Sequence, residues 1–385
     1  MTKTQNIISI PLIRILILYV ILTSCNGNNH QNSPELNTIK ISDDMFDNKM
    51  DYSDIIQITD VVRLETDAQS IIGKIRKIEC NNNRFYISDD SHQLLIFDTN
   101  GKFLSKLTKG KGPKEFIELR DFNVNKSGIA ILSNKTLLYY TPDGKFLNTK
   151  KLNLQSASGR DLNPILFLPI KEDLYLYMGS FALNHIIPRE NNAIYQINSG
   201  NKIVSEYFPI TSGLTGHQTF YKSGNIINLS VSYGNDTIYK VTSSGIHPKT
   251  VVDFLNKRIT EKDMMGDRDI LFHKIWENNY NGLITNIYEN DNYLCFSFSS
   301  GKTRKNAVLN KKTNLLEIIN AKRTLPVPFA EINGIIENDF FSILDPFMLQ
   351  AFNKDHFYDD FYNKYNLNDL KPEDNPLIVR FKFIF

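Results

Sequence analysis

The 385-residue sequence holds only three cysteines and one tryptophan, and no uncharged apolar run approaches the roughly 20 residues that a membrane-spanning helix requires. So few cysteines exclude a disulfide-stapled scaffold, and a chain of this length can build its own apolar core. Neither sign of charge is in excess, with 44 basic against 42 acidic residues. Nucleic-acid binding is driven by phosphate neutralisation, so this balance argues against a nucleic-acid partner. Long helical periodicity is mostly missing as well, which excludes a helical bundle.

The N-terminus is organised differently from the rest. Lys3 and Arg14 precede an apolar run from Ile15 to Leu22, followed by Thr23, Ser24 and Cys25. This is the layout of a signal peptide, too short in its apolar part to span a bilayer. The four residues Leu22 to Cys25 resemble the bacterial lipobox, which implies cleavage before Cys25 and a lipid on its thiol. The expected partner there is a membrane, reached through that lipid. Removing residues 1–24 takes away two of the 44 basic residues and no acidic one, leaving 42 against 42. From Asn26 to Ser33 the chain is polar and aperiodic. Residues 25–54 therefore read as a lipidated tether, of which 26–50 is expected to be dispensable for stability.

From residue 71 onward, short alternating runs are separated by Asn, Asp, Gly and Lys turns, the pattern of antiparallel hairpins. An internal repeat gives the unit. Phe97 to Leu104 (Phe-Asp-Thr-Asn-Gly-Lys-Phe-Leu) returns as Tyr140 to Leu147 (Tyr-Thr-Pro-Asp-Gly-Lys-Phe-Leu), 43 residues later. Four short strands per 43 residues is the signature of a propeller blade, and the Asn-Gly and Asp-Gly pairs mark the turn between its third and fourth strands. Blades are expected at 72–107, at 119–152, from near Pro164, from near Gln218, at 283–319 and from Glu331. Insertions are expected at 255–280 and 345–375. Blade 6 is then one strand short. The segment Ile55 to Leu64 is placed to supply it beside Leu377 to Phe385, which makes 55–385 an all-β, six-bladed β-propeller closed by an N-terminal strand.

Three segments resemble a known family, the six-bladed β-propeller lipoproteins of Bacteroidetes, related in pattern to NHL-repeat and TolB-like propellers. They are Val62-Arg63-Leu64-Glu65-Thr66 ahead of Ile72 and Gly73; the linker Gly110-Lys111-Gly112-Pro113-Lys114-Glu115-Phe116; and Asn375-Pro376-Leu377. Lys114 stands where the family usually has Gly. The resemblance covers residues 55–385 and implies an outer-membrane lipoprotein. Surface-exposed members often carry acidic residues after the lipidated Cys, and Asn26 to Ser33 has none, which favours the periplasmic face.

Chemical motifs are sparse. The Gly110–Phe116 run lacks the Lys-Ser/Thr pair of a phosphate loop, so Glu115 is expected to cap backbone donors in a tight linker. No two of the seven histidines have the spacing of a helical zinc site, no Gly-x-Ser-x-Gly elbow is present, and no metal or cofactor is expected. Cys80 and Cys295 are expected as free thiols, since their blades are too far apart for a disulfide. Asp236-Thr237-Ile238 resembles an O-glycosylation acceptor of Bacteroidetes. The positional argument carries more. Inner strands of a propeller begin at the mouth of the central channel, so polar residues there converge. These are Lys74, Arg76, Arg120, Asp121, Asn163, His217, Thr285 and Asn333. They form either a site for a polar ligand or a solvated lining. Two functions remain open: a non-catalytic binding or scaffold lipoprotein for a peptide, glycan or protein, and a lactonase- or lyase-type enzyme with a channel metal held by Asp121, Asn163, Asn333 and Glu331.

Overall fold

Middle strands that are apolar on both faces and outer strands that alternate dictate sheets stacked face to face, with only their last strands in solvent. The computed structural model describes residues 36–47, 55–112, 114–156, 159, 161–178, 192–209, 219–231, 234–260, 263, 268–320, 331–352 and 359–385. Two strands, β1 (Asn37–Lys40) and β2 (Ile56–Arg63), precede the repeat. Blade 1 holds β3 (Ile75–Asn81), β4 (Arg84–Asp89), β5 (Leu94–Asp98) and β6 (Phe103–Leu107). Blade 2 holds β7 (Asp121–Asn125), β8 (Gly128–Ser133), β9 (Thr136–Tyr140) and β10 (Phe146–Lys151). Blade 3 holds β11 (Leu166–Ile170), β12 (Asp173–Tyr177), β13 (Asn192–Ile197) and β14 (Ile203–Pro209), and blade 4 holds β15 (Phe220–Ser223), β16 (Ile226–Leu229), β17 (Thr237–Thr242) and β18 (Gly245–Asp253). After helix α1 (Arg268–Glu277), blade 5 follows as β19 (Asn281–Glu289), β20 (Tyr293–Ser300), β21 (Thr303–Asn310) and β22 (Leu316–Asn320). Blade 6 has β23 (Gly334–Ile336) and β24 (Asp339–Leu344), then helices α2 (Pro346–Phe352) and α3 (Asp359–Lys364), then β25 (Leu377–Phe383).

The strands form six antiparallel sheets, and the fold is a six-bladed β-propeller. The sequence pattern explains which strand lies where. All six residues of β8 are buried, whereas outer strand β6 alternates between half-buried and exposed. The core is accordingly divided into wedges between neighbouring blades. Tyr86, Leu94 and Ile96 of blade 1 pack on Phe122, Val124 and Ile131 of blade 2, and Leu132 and Leu137 of blade 2 pack on Phe167, Leu176 and Tyr195 of blade 3. The turn glycines Gly101 and Gly144 have φ of +87° and +88°, the left-handed backbone that the repeated Asn-Gly and Asp-Gly pairs call for. Gly101 also needs to be small, because a Cβ there would lie 1.9 Å from the Arg63 carbonyl oxygen.

The ring closes as expected. Strand β2 pairs with β25 in the register Ile56 with Phe383 through Arg63 with Leu377, completing the blade that holds β23 and β24. Asn375, 3% exposed, fastens the seam. Its side chain donates to the Glu65 and Ser70 carbonyls at 2.7 and 2.9 Å and accepts from the Ile72 amide at 2.9 Å, joining the end of the chain to the start of blade 1.

The tether reading fails over part of its length. Residues 36–47 are not a tether: β1 adds a fifth strand to the outer edge of blade 4, and a 3-10 turn follows at Asp43–Asp47. Ile39 and Ile41 are 7% and 0% exposed in the core shared with blades 4 and 5, and Phe46 lies under the Lys305 ammonium. A four-residue strand with one apolar side chain, Ile39, gives too short a period to stand out beside a polar stretch. The structured domain thus starts before residue 55.

Strand direction makes the two faces of the ring unequal. The connections from inner to second strand and from third to fourth strand are short turns, such as Asn82–Asn83, Lys126–Ser127 and Ser243–Ser244. The longer connections within and between consecutive blades, including those that carry α1, α2 and α3, are at the opposite end, where inner strands begin.

Truncation tests both ends of this account. Relative to a chain lacking residues 26–35, deletion of 26–47 removes two buried isoleucines and is expected to cost about 3 kcal/mol, several degrees in Tm. Deletion through Leu64 is expected to give insoluble protein. Equal melting temperatures for all three chains would contradict the pairing of both β1 and β2.

Candidate functional site

The inner strands enclose a cavity of about 880 Å³ whose lining comes from all six blades. Of the eight residues that position in the repeat selects, Lys74, Arg76, Arg120, Asp121 and Asn333 line it. Asn163 and Thr285 do not. Asn163 is exposed and accepts from Arg120 Nη1 at 2.6 Å, and Thr285 accepts from Arg304 on its own blade. His217 lies outside the described residues.

Arg120, Asp121 and Asn333 are engaged between or within blades. Arg120 pairs with Glu118 and donates to the Asn134 side chain at 2.9 Å and the Pro164 carbonyl at 3.2 Å, so it joins blade 2 to the start of blade 3. Asp121 accepts from the Phe122 amide at 2.8 Å, the Phe167 amide at 3.0 Å and Lys77 Nζ at 2.8 Å, touching three blades with one carboxylate. Asn333 accepts from the Ile343 amide at 2.9 Å. The four residues of the metal-enzyme reading are therefore spent separately: Asp121 on Lys77, Asn163 on Arg120, Asn333 on Ile343, and Glu331 on Arg304 at 2.6 Å.

A charge ladder inside the channel escapes the sequence reading. Glu79, on β3, accepts from the Val124 amide at 3.0 Å and pairs with Lys77 at 3.0 Å and with Lys222 of blade 4 at 2.9 Å. Lys222 also donates to the Val124 carbonyl at 3.1 Å, so it reaches from blade 4 to blades 1 and 2 across the channel. Burial pushes the Glu79 carboxyl up, but Lys222 and Lys77 outweigh it and hold it below its usual value. For Lys77 burial favours the neutral amine, and Asp121 and Glu79 overcome it, so the ammonium is strongly retained. The available signal was an opposite-charge pair two residues apart, Lys77 and Glu79, flanking Ile78 in an inner strand.

A β-bulge interrupts the alternation of this strand. Ile75 pairs with Asp89 and Lys77 with Ser88, leaving Arg76 as the extra residue. Bulges re-aim side chains. Arg76 Nη1 lies 3.3 Å from His92 Nδ1 and donates to the Leu119 carbonyl at 3.4 Å, while Lys77 turns to blade 2.

The remaining motifs are structural. Glu115 accepts from the Gly112 amide at 2.8 Å, as expected of the linker, and Gly110 is small because a Cβ would meet the Glu115 carboxylate at 1.9 Å. Lys114 keeps an ordinary negative φ, so the family's glycine is not needed there for backbone freedom. Cys80 and Cys295 are free thiols, and burial pushes that of Cys80 up to about 11.

Residues 36–382 match the family profile described as a domain of unknown function, DUF4934. The chain belongs to that family. The family boundary includes β1, in agreement with its packed place on blade 4. No curated protein matches the sequence. A crystal structure of a Bacteroides fragilis protein inferred to be exported is similar over 91% of this chain and 100% of that one, with a TM-score of 0.75 and 18% identity, which shows a shared fold. The WD40 domain of Neurospora crassa Pan2 (10% identity, 77% of this chain and 81% of that one, TM-score 0.38) is too loosely similar to carry an argument. So is BamB from Moraxella catarrhalis (10% identity, 79% and 71%, TM-score 0.31).

Two variants test the electrostatics. Glu79→Gln leaves Lys77 and Lys222 facing each other in the channel, and it is expected to cost about 2 kcal/mol, read as a lower urea midpoint at unchanged slope. No change in midpoint would remove the ladder from the forces that hold the ring. Asp236, 3% exposed beside Arg258 at 3.0 Å, has its carboxyl pushed up to about 6 by burial, which Arg258 only partly offsets. The folded chain then binds a proton that the unfolded chain, with its ordinary value near 3.8, gives up. This group's contribution to stability therefore rises as pH falls through 6 and levels off below about 4. Asp236→Asn is expected to melt above the wild type at pH 7.5 and level with it at pH 4.5.

Proposed function

We propose that this chain is an exported envelope propeller, anchored to the outer membrane by a lipid on Cys25, that binds a ligand at its channel mouth without transforming it. The observation that carries the reading is the cavity itself. Its volume falls in the range of small-molecule sites, its lining runs along the inner strands from their starts, at Lys74 and Arg120, to Asn81 and Gly224, and the residues that an enzyme would use as metal ligands are each engaged in joints between or within blades. The fold shared with the Bacteroides fragilis protein inferred to be exported supports the envelope assignment, and Leu22 to Cys25, outside the described residues, supply the motif. The periplasmic face is favoured by the uncharged stretch after Cys25. The ligand class is a peptide, a glycan or a segment of another protein. Thr237, half-buried at the start of β17, is the place where a glycan would be sought on the native protein.

Fractionation tests the anchor: Cys25→Ala is expected to leave the membrane pellet, and its retention after a carbonate wash would overturn the lipid assignment. Native mass spectrometry tests binding without turnover. Protein incubated with a digest of envelope glycans and peptides is expected to gain a discrete mass and to release the same mass unchanged. Release of a smaller or larger species would favour an enzyme.

A further inference from the structure

Five cations and three carboxylates line the cavity. The carboxylates are all engaged: Glu79 by Lys77 and Lys222, Asp121 by Lys77, and Glu118 by Arg120. Two cations remain, Lys74 and Arg76. Among the described residues no carboxylate lies within ion-pair distance of either. Asp90, the acidic neighbour, uses one oxygen on the Lys74 backbone amide at 3.1 Å. Both side chains are exposed at the start of β3.

We propose that the ligand of the channel mouth is anionic, a peptide or glycan that presents a carboxylate or a phosphate, held by Lys74 and Arg76. This rests on the binding reading above and narrows it to one chemistry. Uncompensated positive charge in a concavity with apolar walls focuses its field on whatever enters. Arg76 is moreover pre-oriented. The bulge aims it, and the Leu119 carbonyl and His92 hold the Nη1 edge of its guanidinium. The rest of that planar fork is left to donate in parallel to two oxygens of one anionic group, which a neutral sugar hydroxyl cannot match. Lys74, two residues earlier, adds a mobile point charge. Below them the Lys77–Glu79–Lys222 ladder is neutralised by its own partners, so the uncompensated positive charge of the lining is concentrated at Lys74 and Arg76.

The test is calorimetric titration of the purified mature chain at fixed ionic strength with citrate, inorganic pyrophosphate and neutral maltotriose. Citrate or pyrophosphate is expected to bind, more weakly as sodium chloride rises, and at least tenfold more weakly in the Lys74→Gln/Arg76→Gln double variant. Binding of citrate alone marks a carboxylate ligand and of pyrophosphate alone a phosphate. Lys74→Gln alone, which breaks no hydrogen bond of the fold, is expected to give part of the loss at unchanged Tm. Undiminished anion binding in the double variant, or no anion binding at all, would overturn the proposal. So would maltotriose binding that is lost in the double variant, an outcome that leaves the channel mouth a binding site and refutes only its charge preference.

Discussion

The pairing of β2 with β25 is the constraint on which everything else in this molecule depends. Each blade buries its apolar faces only against neighbours, so a ring with one gap exposes two faces and two edges together. The seven matched pairs from Ile56 to Arg63 and the buried Asn375 remove that gap. Because β2 leads directly from blade 6 into blade 1, the seam also fixes where β3 begins. Gly73 and Lys74 are placed by it, and with them the charged end of the channel.

Held in this ring, the inner strands solve a second problem, that of polar groups forced together around an axis. Lys77, Glu79, Asp121 and Lys222 neutralise one another while donating to or accepting from the backbone of another blade, the next one for the first three and blade 2 across the channel for Lys222. Arg76 reaches the Leu119 carbonyl and Arg120 the Pro164 carbonyl, one repeat apart. The same residue type at the same place in successive blades thus serves as a joint. In blade 2 the joint is completed by Glu118; in blade 1 no carboxylate occupies that role, and the arginine keeps donors to spare.

The fold was legible because its signals are local and repeated. Asn100-Gly101 and Asp143-Gly144 announce turns whose positive φ the backbone requires, and the missing strand of blade 6 could be inferred by counting. The site was legible only in part. Position in the repeat brought Lys74, Arg76, Arg120, Asp121 and Asn333 to the cavity. It could not show that Arg120 and Asp121 are consumed by partners 14 to 46 residues away, nor that a bulge at Arg76 shifts the alternation so that Lys77 and Glu79 face the channel. A bulge adds one residue without any turn signal, and strand phase cannot be read past it. Strand β1 was missed for another reason, since four residues carry too little pattern to compete with the polar context around them.

The closing pair also sets an order of events during synthesis. Strand β2 is among the first parts of the domain to be made and β25 is the last of its strands, so β2 must wait without its partner while five blades are produced. A chain delivered from its N-terminus can assemble blades 1 to 5 in turn, but its ring becomes whole only once Leu377 to Phe383 has been delivered. Folding of blade 6 is therefore a checkpoint on completeness. Chains stopped short of Leu377 carry an open seam for quality-control proteases, whatever the state of the blades already formed.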